Sequence, residues 1–247
     1  MNEQREQADA AAGGAHAAKR AAAAVAVDLV SDGMIVGLGT GSTAAVFVDL
    51  LAERMMRDGL SVVCVATSIG TAAQAGGLGL PLTTLSAVAS LDLTIDGADE
   101  VDGQLNLIKG GGGALLCEKI VAAASDRMVV IADASKQVAN LGHFPLPVEI
   151  VRFGVDSTEK RIAEVLARHD VEGTEIVRRR TDAGTFVTDE GHEIVDLHLG
   201  RIGDPAALEA ALARVPGVVD SGLFIGVADR VIFGASDGGV AILDADG

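Results

Sequence analysis

Apolar and polar positions follow two different rhythms along the chain. Over the first 140 residues, short apolar runs alternate with Ala-rich stretches of helical spacing, joined by glycine or Thr/Ser turns. The pattern predicts helices over 17–30, 43–55, 70–77 and 114–125, and strands over 34–39, 61–67, 91–99 and 127–133. Alternation of this kind is typical of an α/β fold with a parallel, doubly wound sheet.

The rhythm changes after the segment 144–151. The later pattern predicts helices over 158–169 and 204–215, strands over 172–181, 221–226 and 229–236, and a hairpin-like segment over 185–197. This order is closer to a smaller α+β module. We therefore predict a domain boundary near Phe144 to Pro147, with the final strands returning to the first sheet.

Composition narrows the class of protein. The chain has 247 residues, of which 49% are hydrophobic and 22% charged, enough for one large domain or two small ones. No run approaches 18 apolar residues and no apolar export signal opens the sequence, so we expect a cytoplasmic protein without membrane contact.

The charge balance argues against a nucleic-acid partner. Acidic side chains number 35 against 19 basic ones, the net charge is −16, and the chain has no Trp or Tyr. Only five of the basic residues are lysines, which makes a function for Lys109 and Lys136, inside loop motifs, more plausible. Cys64 and Cys117 lie in apolar surroundings without metal-like spacing, so we expect buried, reduced thiols and no redox chemistry.

The first motif is GLGTGSTAAVF, residues 37–47. Its glycines permit a tight turn, and Thr40, Ser42 and Thr43 place hydroxyls where the next helix exposes unpaired N–H groups, which suits a phosphate. Dinucleotide binding is disfavoured because Ser42 occupies the third glycine position, and the P-loop lysine is missing. A glycine turn that only packs helix on strand stays open as the alternative.

The second motif is LTIDGADEVD, residues 93–102, where a strand ends at Asp96 and Asp99. A calcium loop fails, because Gly103 stands where a bidentate glutamate is needed. Asp96 could cap a turn or take part in catalysis, and the spacing alone leaves both open.

The third motif is NLIKGGGGALLCEKI, residues 106–120. Four glycines let backbone amides approach a ligand, and Lys109 adds a positive charge at the entrance of the loop. A helix from Ala114 would carry Glu118 early, either as a surface residue or within reach of the loop. We predict a core stripe on this helix, formed by Leu115, Leu116, Ile120 and Ala123.

These blocks together resemble one known family. GLGTGSTA, TIDGADEVD, KGGGGALLCEKIVA, IADASK and PLPVEIVRFG, in this order, with the later TDEGHEIVD and VPGVVDSGLFIG, are similar to ribose-5-phosphate isomerase A over nearly the whole chain. The resemblance implies a Rossmann-like catalytic domain over 1–143, to which 218–247 returns, and a ferredoxin-like α+β domain over 144–217.

The resemblance also implies an activity: interconversion of D-ribose 5-phosphate and D-ribulose 5-phosphate through an enediolate, in the non-oxidative pentose phosphate pathway. It assigns Glu118 as the base, Lys109 to the oxyanion, Asp96 to hydroxyl protons and ring opening, and Asp99 to hydroxyl binding. The implied substrate-binding residues are Thr40, Gly41, Ser42, Thr43, Gly97, Ala98, Gly110, Gly111 and Gly112, with Lys19 and Lys136 near the phosphate. We expect no metal or cofactor, and a homodimer or homotetramer.

Two departures from the family pattern concern other positions. Cys117 stands where the family usually has a basic or polar residue, and TDEGH replaces the usual TDNGN, which affects Glu190 and His192. Two alternatives stay open: a non-catalytic sugar-phosphate sensor on the same fold, which could dispense with Glu118, and a related acyl-CoA transferase, although such proteins are generally larger.

Overall fold

The computed structural model describes the backbone of residues 2–245 and the side chains of residues 13–245. The helices are α1 (Asn2–Val27), α2 (Ser42–Asp58), α3 (Ile69–Gly77), α4 (Leu115–Ala123), α5 (Val155–Leu166) and α6 (Pro205–Leu212). The first strands are β1 (Ile35–Leu38), β2 (Val63–Ala66), β3 (Leu93–Gly97), β4 (Glu100–Val101), β5 (Leu107–Ile108), β6 (Met128–Asp133) and β7 (Leu146–Ile150). The later strands are β8 (Glu175–Arg178), β9 (Arg180–Thr181), β10 (Gly184–Thr185), β11 (Glu193–His198), β12 (Val218–Ser221), β13 (Leu223–Phe224), β14 (Arg230–Gly234) and β15 (Val240–Asp244).

The chain divides into two compact units. The first comprises Met1–Gly97, Val121–Lys136 and Ala228–Gly247, and the second comprises Ala98–Ile120 and Gln137–Val227. The domain bounds inferred from the sequence assign three segments to the first domain that belong to the second unit of the structure. These segments are 98–120, 137–143 and 218–227. The domain bounds inferred from the sequence stay a prediction, and Met1, Asp246 and Gly247 lie outside the described residues.

A six-stranded sheet organises the first unit, in the order β15-β14-β6-β3-β1-β2. All neighbours are parallel except β14 and β15, which pair antiparallel at one edge. The central strands β3 and β6 are buried up to their last residue, as strands covered on both faces must be. The predicted doubly wound α/β fold is confirmed.

The Ala-rich sequence of α1 allows this helix to approach the sheet closely. Ala22, Ala23 and Ala26 are fully buried, and α1 packs against α2, β6 and β14. A Cβ at Gly234 in β14 would lie 1.9 Å from the Ala18 carbonyl oxygen, so this contact requires glycine. Small side chains on both elements therefore set the distance between helix and strand.

The second unit contains a four-stranded antiparallel sheet in the order β12-β7-β11-β8. With α5 after β7 and α6 after β11, the chain order is βαββαβ, which is the ferredoxin-like arrangement. Its core is a buried aliphatic cluster that includes Val148, Ile162, Val195 and Leu208. A three-stranded sheet, β13-β5-β4, and the hairpin of β9 and β10 complete this unit.

No helix among the described residues is long and apolar enough to cross a membrane.

Candidate functional site

The first unit presents a glycine turn and an aspartate at the carboxyl ends of β1 and β3. A Cβ at Gly39 would lie 2.0 Å from Asp96 Oδ1 and 2.6 Å from Asp96 Cα, so only glycine fits beside this aspartate. Asp96 is fully buried, and its Oδ1 accepts hydrogen bonds from the Thr40 N–H at 3.1 Å and the Gly97 N–H at 2.7 Å. The loop and the aspartate therefore form one fixed arrangement.

Positive charge collects where this loop enters α2. Gly41 precedes the helix with φ 113°, and no side chain among the described residues caps the helix start. The Lys19 ammonium donates to Ser42 Oγ at 2.9 Å, and Thr43 follows in the first turn. Lys136 ends a short 3₁₀ helix directly after β6, at the same edge of the sheet. Free helix N–H groups beside a lysine favour an anion.

Three hydroxyl side chains that the sequence analysis did not single out surround Thr40. Its Oγ1 lies 2.8 Å from Thr67 Oγ1, 2.9 Å from Ser68 Oγ and 3.2 Å from Thr71 Oγ1. They follow β2, so the signal that could have found them is the hydroxyl-rich end of the neighbouring strand, ATSIGT. This network fixes the Thr40 side chain in the loop.

The second unit holds the glycine loop. Gly110 and Gly113 have φ of +100° and +83°, which other residues rarely adopt, and the Gly113 N–H donates to the Gly110 carbonyl at 2.9 Å. The Gly111 N–H donates to Asp99 Oδ2 at 2.8 Å. The loop is therefore a tight turn tied to Asp99, and Ala98 connects Asp99 to Gly97 along the chain.

Lys109 and Glu118 form a buried ion pair. Lys109 Nζ lies 3.3 Å from Glu118 Oε1, and the two side chains are 2% and 4% exposed. The Lys109 ammonium also lies over the Phe224 ring, with Nζ 5.4 Å from the ring centroid. The backbone N–H of Lys109 donates to the Gly222 carbonyl. Glu118 is thus no surface residue, and both charges can be buried because each is paired with the other.

The predicted core stripe of α4 is wrong. Leu115 is buried, but Ile120 is 47% exposed and Ala123 is also exposed, while Glu118 and Val121 lie on the buried side. The reason is that this short helix is apolar nearly all round, so residue type alone does not mark its inner face.

Lys119 has a structural role distinct from that of its neighbour Glu118. Its ammonium lies 2.6 Å from Asp220 Oδ1 and 3.4 Å from Glu209 Oε1, and it donates to the Ser221 carbonyl at 2.9 Å. These contacts tie α4 to β12 and α6.

Cys117 is half-buried rather than buried as expected, whereas Cys64 is fully buried. The Cys117 Sγ lies 3.5 Å from Glu190 Oε1. Burial raises the pKa of the Cys117 thiol to about 12, and the hydrogen bond to Glu190 and its negative charge act in the same direction. The thiol is therefore protonated at neutral pH and is a poor nucleophile.

The second departure, His192, contacts a buried carboxylate. His192 Nδ1 lies 2.8 Å from Glu149 Oε1, to which the Thr188 hydroxyl also donates at 2.9 Å. Glu149 is 1% exposed, so the histidine and the threonine supply the polar partners that a buried carboxylate requires. Thr188 and His192 thereby connect the TDEGH segment to Glu149 of β7.

Potential metal ligands do not gather in the part of the chain that the structure describes. Within residues 13–245, no group of three or more His, Cys, Asp or Glu side chains could hold a metal ion. The polar groups of the candidate site are instead an ammonium, carboxylates, hydroxyls and backbone amides.

The structure brings the sequence-predicted residues together in two sets, one on each unit. The first unit carries Lys19, Thr40, Gly41, Ser42, Thr43, Asp96, Gly97 and Lys136, and the second carries Ala98, Asp99, Lys109, Gly110, Gly111, Gly112 and Glu118. These features define an α/β protein with a hydroxyl-bearing glycine loop at a helix start and a buried lysine–glutamate ion pair.

Comparison with known proteins gives the family. The model of ribose 5-phosphate isomerase A (phosphoriboisomerase A) matches residues 63–238. A ribose-5-phosphate isomerase A of Dinoroseobacter shibae is 58% identical over 227 residues, covering 92% of this chain and 87% of that protein. One of Nitrobacter hamburgensis is 56% identical and covers 92% of this chain and 97% of that protein. The chain belongs to the ribose 5-phosphate isomerase A family.

Solved structures agree with this assignment. The ribose 5-phosphate isomerase from Plasmodium falciparum is 38% identical with a TM-score of 0.86, and covers 92% of this chain and 97% of that one. A D-ribose-5-phosphate isomerase in complex with phospho-erythronic acid is 37% identical with a TM-score of 0.84 and the same coverage.

Proposed function

We propose that this protein is an aldose–ketose isomerase that interconverts D-ribose 5-phosphate and D-ribulose 5-phosphate. Family membership supports this function, and the sensor alternative is not favoured by the named relatives. The observation that carries the proposal is the buried ion pair, with Lys109 Nζ 3.3 Å from Glu118 Oε1, beside a loop of four glycines.

Glu118 is the proposed base. Moving the carbonyl from C1 to C2 requires one group to take the C2 proton and return it to C1, which a single carboxylate can do through an enediolate. Glu118 lies in the first turn of α4, directly after the glycine loop. Its burial keeps competing water away from the carboxylate.

Lys109 and the glycine loop are the proposed partners of the enediolate charge. An ammonium with little exposure to solvent and exposed backbone N–H groups can both stabilise a developing oxyanion. Asp96 is the proposed group for hydroxyl protons and ring opening, and Asp99 binds a substrate hydroxyl. Both aspartates are held by backbone amides, which fixes their orientation.

The proposed phosphate site is the loop over 40–43. The free helix N–H groups, three hydroxyls and Lys19 favour a dianion at this position, and Lys136 adds charge at the same sheet edge. The related structure with phospho-erythronic acid supports a phosphorylated ligand for this family.

We further propose that the protein forms a homodimer or homotetramer and that it is located in the cytoplasm.

The proposed parts act together. A positioned base supplies roughly 10²- to 10⁴-fold acceleration, whereas enzymes usually reach at least about 10⁶-fold. Charge stabilisation by Lys109 and binding energy from the remote phosphate are therefore assigned the remaining factor of at least about 10².

The test compares wild type with Glu118→Gln on ribose 5-phosphate, followed by NMR with substrate carrying hydrogen or deuterium at C2. We expect the wild type to form ribulose 5-phosphate, more slowly from the deuterated substrate, and the variant to lose roughly 10²- to 10⁴-fold in kcat. Glu164→Gln, at an exposed glutamate of α5, is the matched control and should retain wild-type activity.

Three outcomes would refute parts of the proposal. Binding of ribose 5-phosphate without turnover would favour the sensor. Full activity of Glu118→Gln would remove this residue from the base role, and loss of activity in EDTA would show that a metal takes part.

A further inference from the structure

Arg179 is the middle one of three consecutive arginines, residues 178–180, in the second unit, and it forms a partly buried ion pair. Its side chain is 15% exposed and forms a two-pronged ion pair with Asp196 on β11, which is 18% exposed. Arg179 Nε lies 2.9 Å from Asp196 Oδ2, and its Nη2 lies 2.5 Å from Asp196 Oδ1. Such bidentate pairing fixes the plane of the guanidinium.

The remaining nitrogen of this guanidinium points at the glycine loop. Arg179 Nη1 donates to the Gly110 carbonyl at 2.8 Å and to the Gly111 carbonyl at 3.2 Å. The guanidinium also lies over the Phe186 ring, 5.8 Å from its centroid. A Cβ at Gly113 would meet this ring at 2.3 Å, so Phe186 packs directly on the end of the loop.

The two carbonyl contacts determine where the loop amides point. In a trans peptide the C=O and the following N–H point in opposite directions. Because the Gly110 and Gly111 carbonyls face Arg179, the N–H groups of Gly111 and Gly112 face away from it. The Gly111 N–H indeed donates to Asp99 Oδ2 at 2.8 Å, so the Gly112 N–H points to the side on which Asp99 lies.

The Gly112 N–H is available for a ligand. Gly112 is exposed, and this N–H has no hydrogen-bond partner among the residues that the structure describes. A glycine loop tends to sample other peptide orientations, since glycine restricts the backbone least. Something must therefore hold the two peptide planes if this amide is to meet a substrate oxygen.

We propose that Arg179, held by Asp196, is a positioning residue that orients the Gly110–Gly111 and Gly111–Gly112 peptides, so that the Gly112 N–H donates to the enediolate oxygen of the substrate. Arg179 does not contact the substrate in this proposal and acts only through the loop. The inference rests on the proposed isomerase function.

The experiment measures kcat and KM for ribose 5-phosphate in Arg179→Ala, Arg179→Lys and Asp196→Asn. Arg178→Ala is the matched control, because Arg178 pairs with Asp156 and Glu159 and has no contact with the loop among the described residues. Circular dichroism and thermal unfolding of each variant establish that it is folded. Activity of Arg179→Ala is also measured with free guanidinium at low, non-denaturing concentration.

We expect Arg179→Ala to lose about 10- to 100-fold in kcat with KM within about threefold of wild type, since misplacing a catalytic group by an ångström costs up to about 10²-fold. Arg179→Lys should recover little, because one ammonium cannot reproduce the fork that binds Asp196 and both carbonyls. Asp196→Asn should lose less than Arg179→Ala. Guanidinium should restore part of the kcat of Arg179→Ala, and Arg178→Ala should match wild type.

The proposal is overturned if folded Arg179→Ala keeps kcat within about twofold of wild type, if only KM changes, or if Arg178→Ala loses as much. If Arg179→Ala does not fold, Arg179→Lys and Asp196→Asn decide, and wild-type kcat in both would also overturn it. A wild type without isomerase activity would instead refute the proposed function, so the two failures are distinguishable.

Discussion

Replacing Lys109 by methionine removes the ammonium that lies 3.3 Å from the Glu118 carboxylate, where the two side chains are 2% and 4% exposed. Methionine keeps most of the volume and the apolar stem of lysine, so the change is mainly one of charge. The complementary variant is Glu118→Gln, which keeps the shape and removes the negative charge. Together with the double variant they form a double-mutant cycle.

The expected magnitudes follow from the burial. Removing one partner of a buried ion pair costs about 3–5 kcal/mol, because the other charge stays in a poorly solvated place. Glu118→Gln should cost less, about 1.5–3 kcal/mol, since the amide oxygen still accepts a hydrogen bond from the ammonium. With both charges of the pair removed, neither is left buried opposite a missing counter-charge, so the double variant should lose clearly less than the sum, with a coupling energy of about 2 kcal/mol or more.

The free energy of unfolding is measured by urea unfolding. Unfolding is followed by far-UV circular dichroism, because the chain has no Trp or Tyr for intrinsic fluorescence. Arg230→Met is the control, since its partner Asp244 is 56% exposed and a surface pair contributes only about 0–1 kcal/mol. If the effects of Lys109→Met and Glu118→Gln add within about 0.5 kcal/mol, the two charges are not coupled and the reasoning is refuted.

Two other predictions concern the turn at Gly39 and the thiol of Cys117. Gly39→Ala should lose about 1–3 kcal/mol or more in urea unfolding because its Cβ would overlap Asp96, while Gly77→Ala, with open space and no positive φ, should be neutral or stabilising; equal effects would contradict the contact. Alkylation of Cys117 by iodoacetamide, followed by mass spectrometry, should stay slow at pH 9 and rise only towards pH 12, because the pKa of its thiol is raised to about 12. Glu190→Gln should speed alkylation of Cys117 and leave that of fully buried Cys64 unchanged, and fast reaction of wild-type Cys117 at neutral pH would contradict the prediction.

The elements that sequence reasoning predicted best are those with long apolar periodicity, such as α2 and β6. It missed β4 and β5, each of two residues, whereas β13, equally short, lies inside the strand predicted over 221–226. A strand this short has no periodicity of its own and exists because of its partners: β5 pairs with β4 nearby and with β13 more than a hundred residues later. Such pairing is a property of the folded chain and is invisible in a local window.

The candidate site shows the same limit. The glycines and Asp96 could be found because tight turns and strand ends leave local signals, and the resemblance supplied the proposed role of Glu118. The inner face of α4 could not be predicted from the sequence, because an apolar helix offers no contrast between its sides. Arg179 could not be singled out from the sequence either. It lies between Arg178 and Arg180, and only the strand register decides which of the three arginines pairs with Asp196.

The two departures from the family pattern meet in the fold, because Cys117 contacts Glu190. Cys117 precedes Glu118 in α4, but successive helical residues point about 100° apart, so the thiol faces Glu190 while the carboxylate of Glu118 lies beside Lys109. Glu190 belongs to the TDEGH segment that differs from the usual pattern, and a neutral thiol beside it avoids a second negative charge at this point. The side chain next to the proposed base thus has its partner on another element, apart from the ion pair that carries the proposed chemistry.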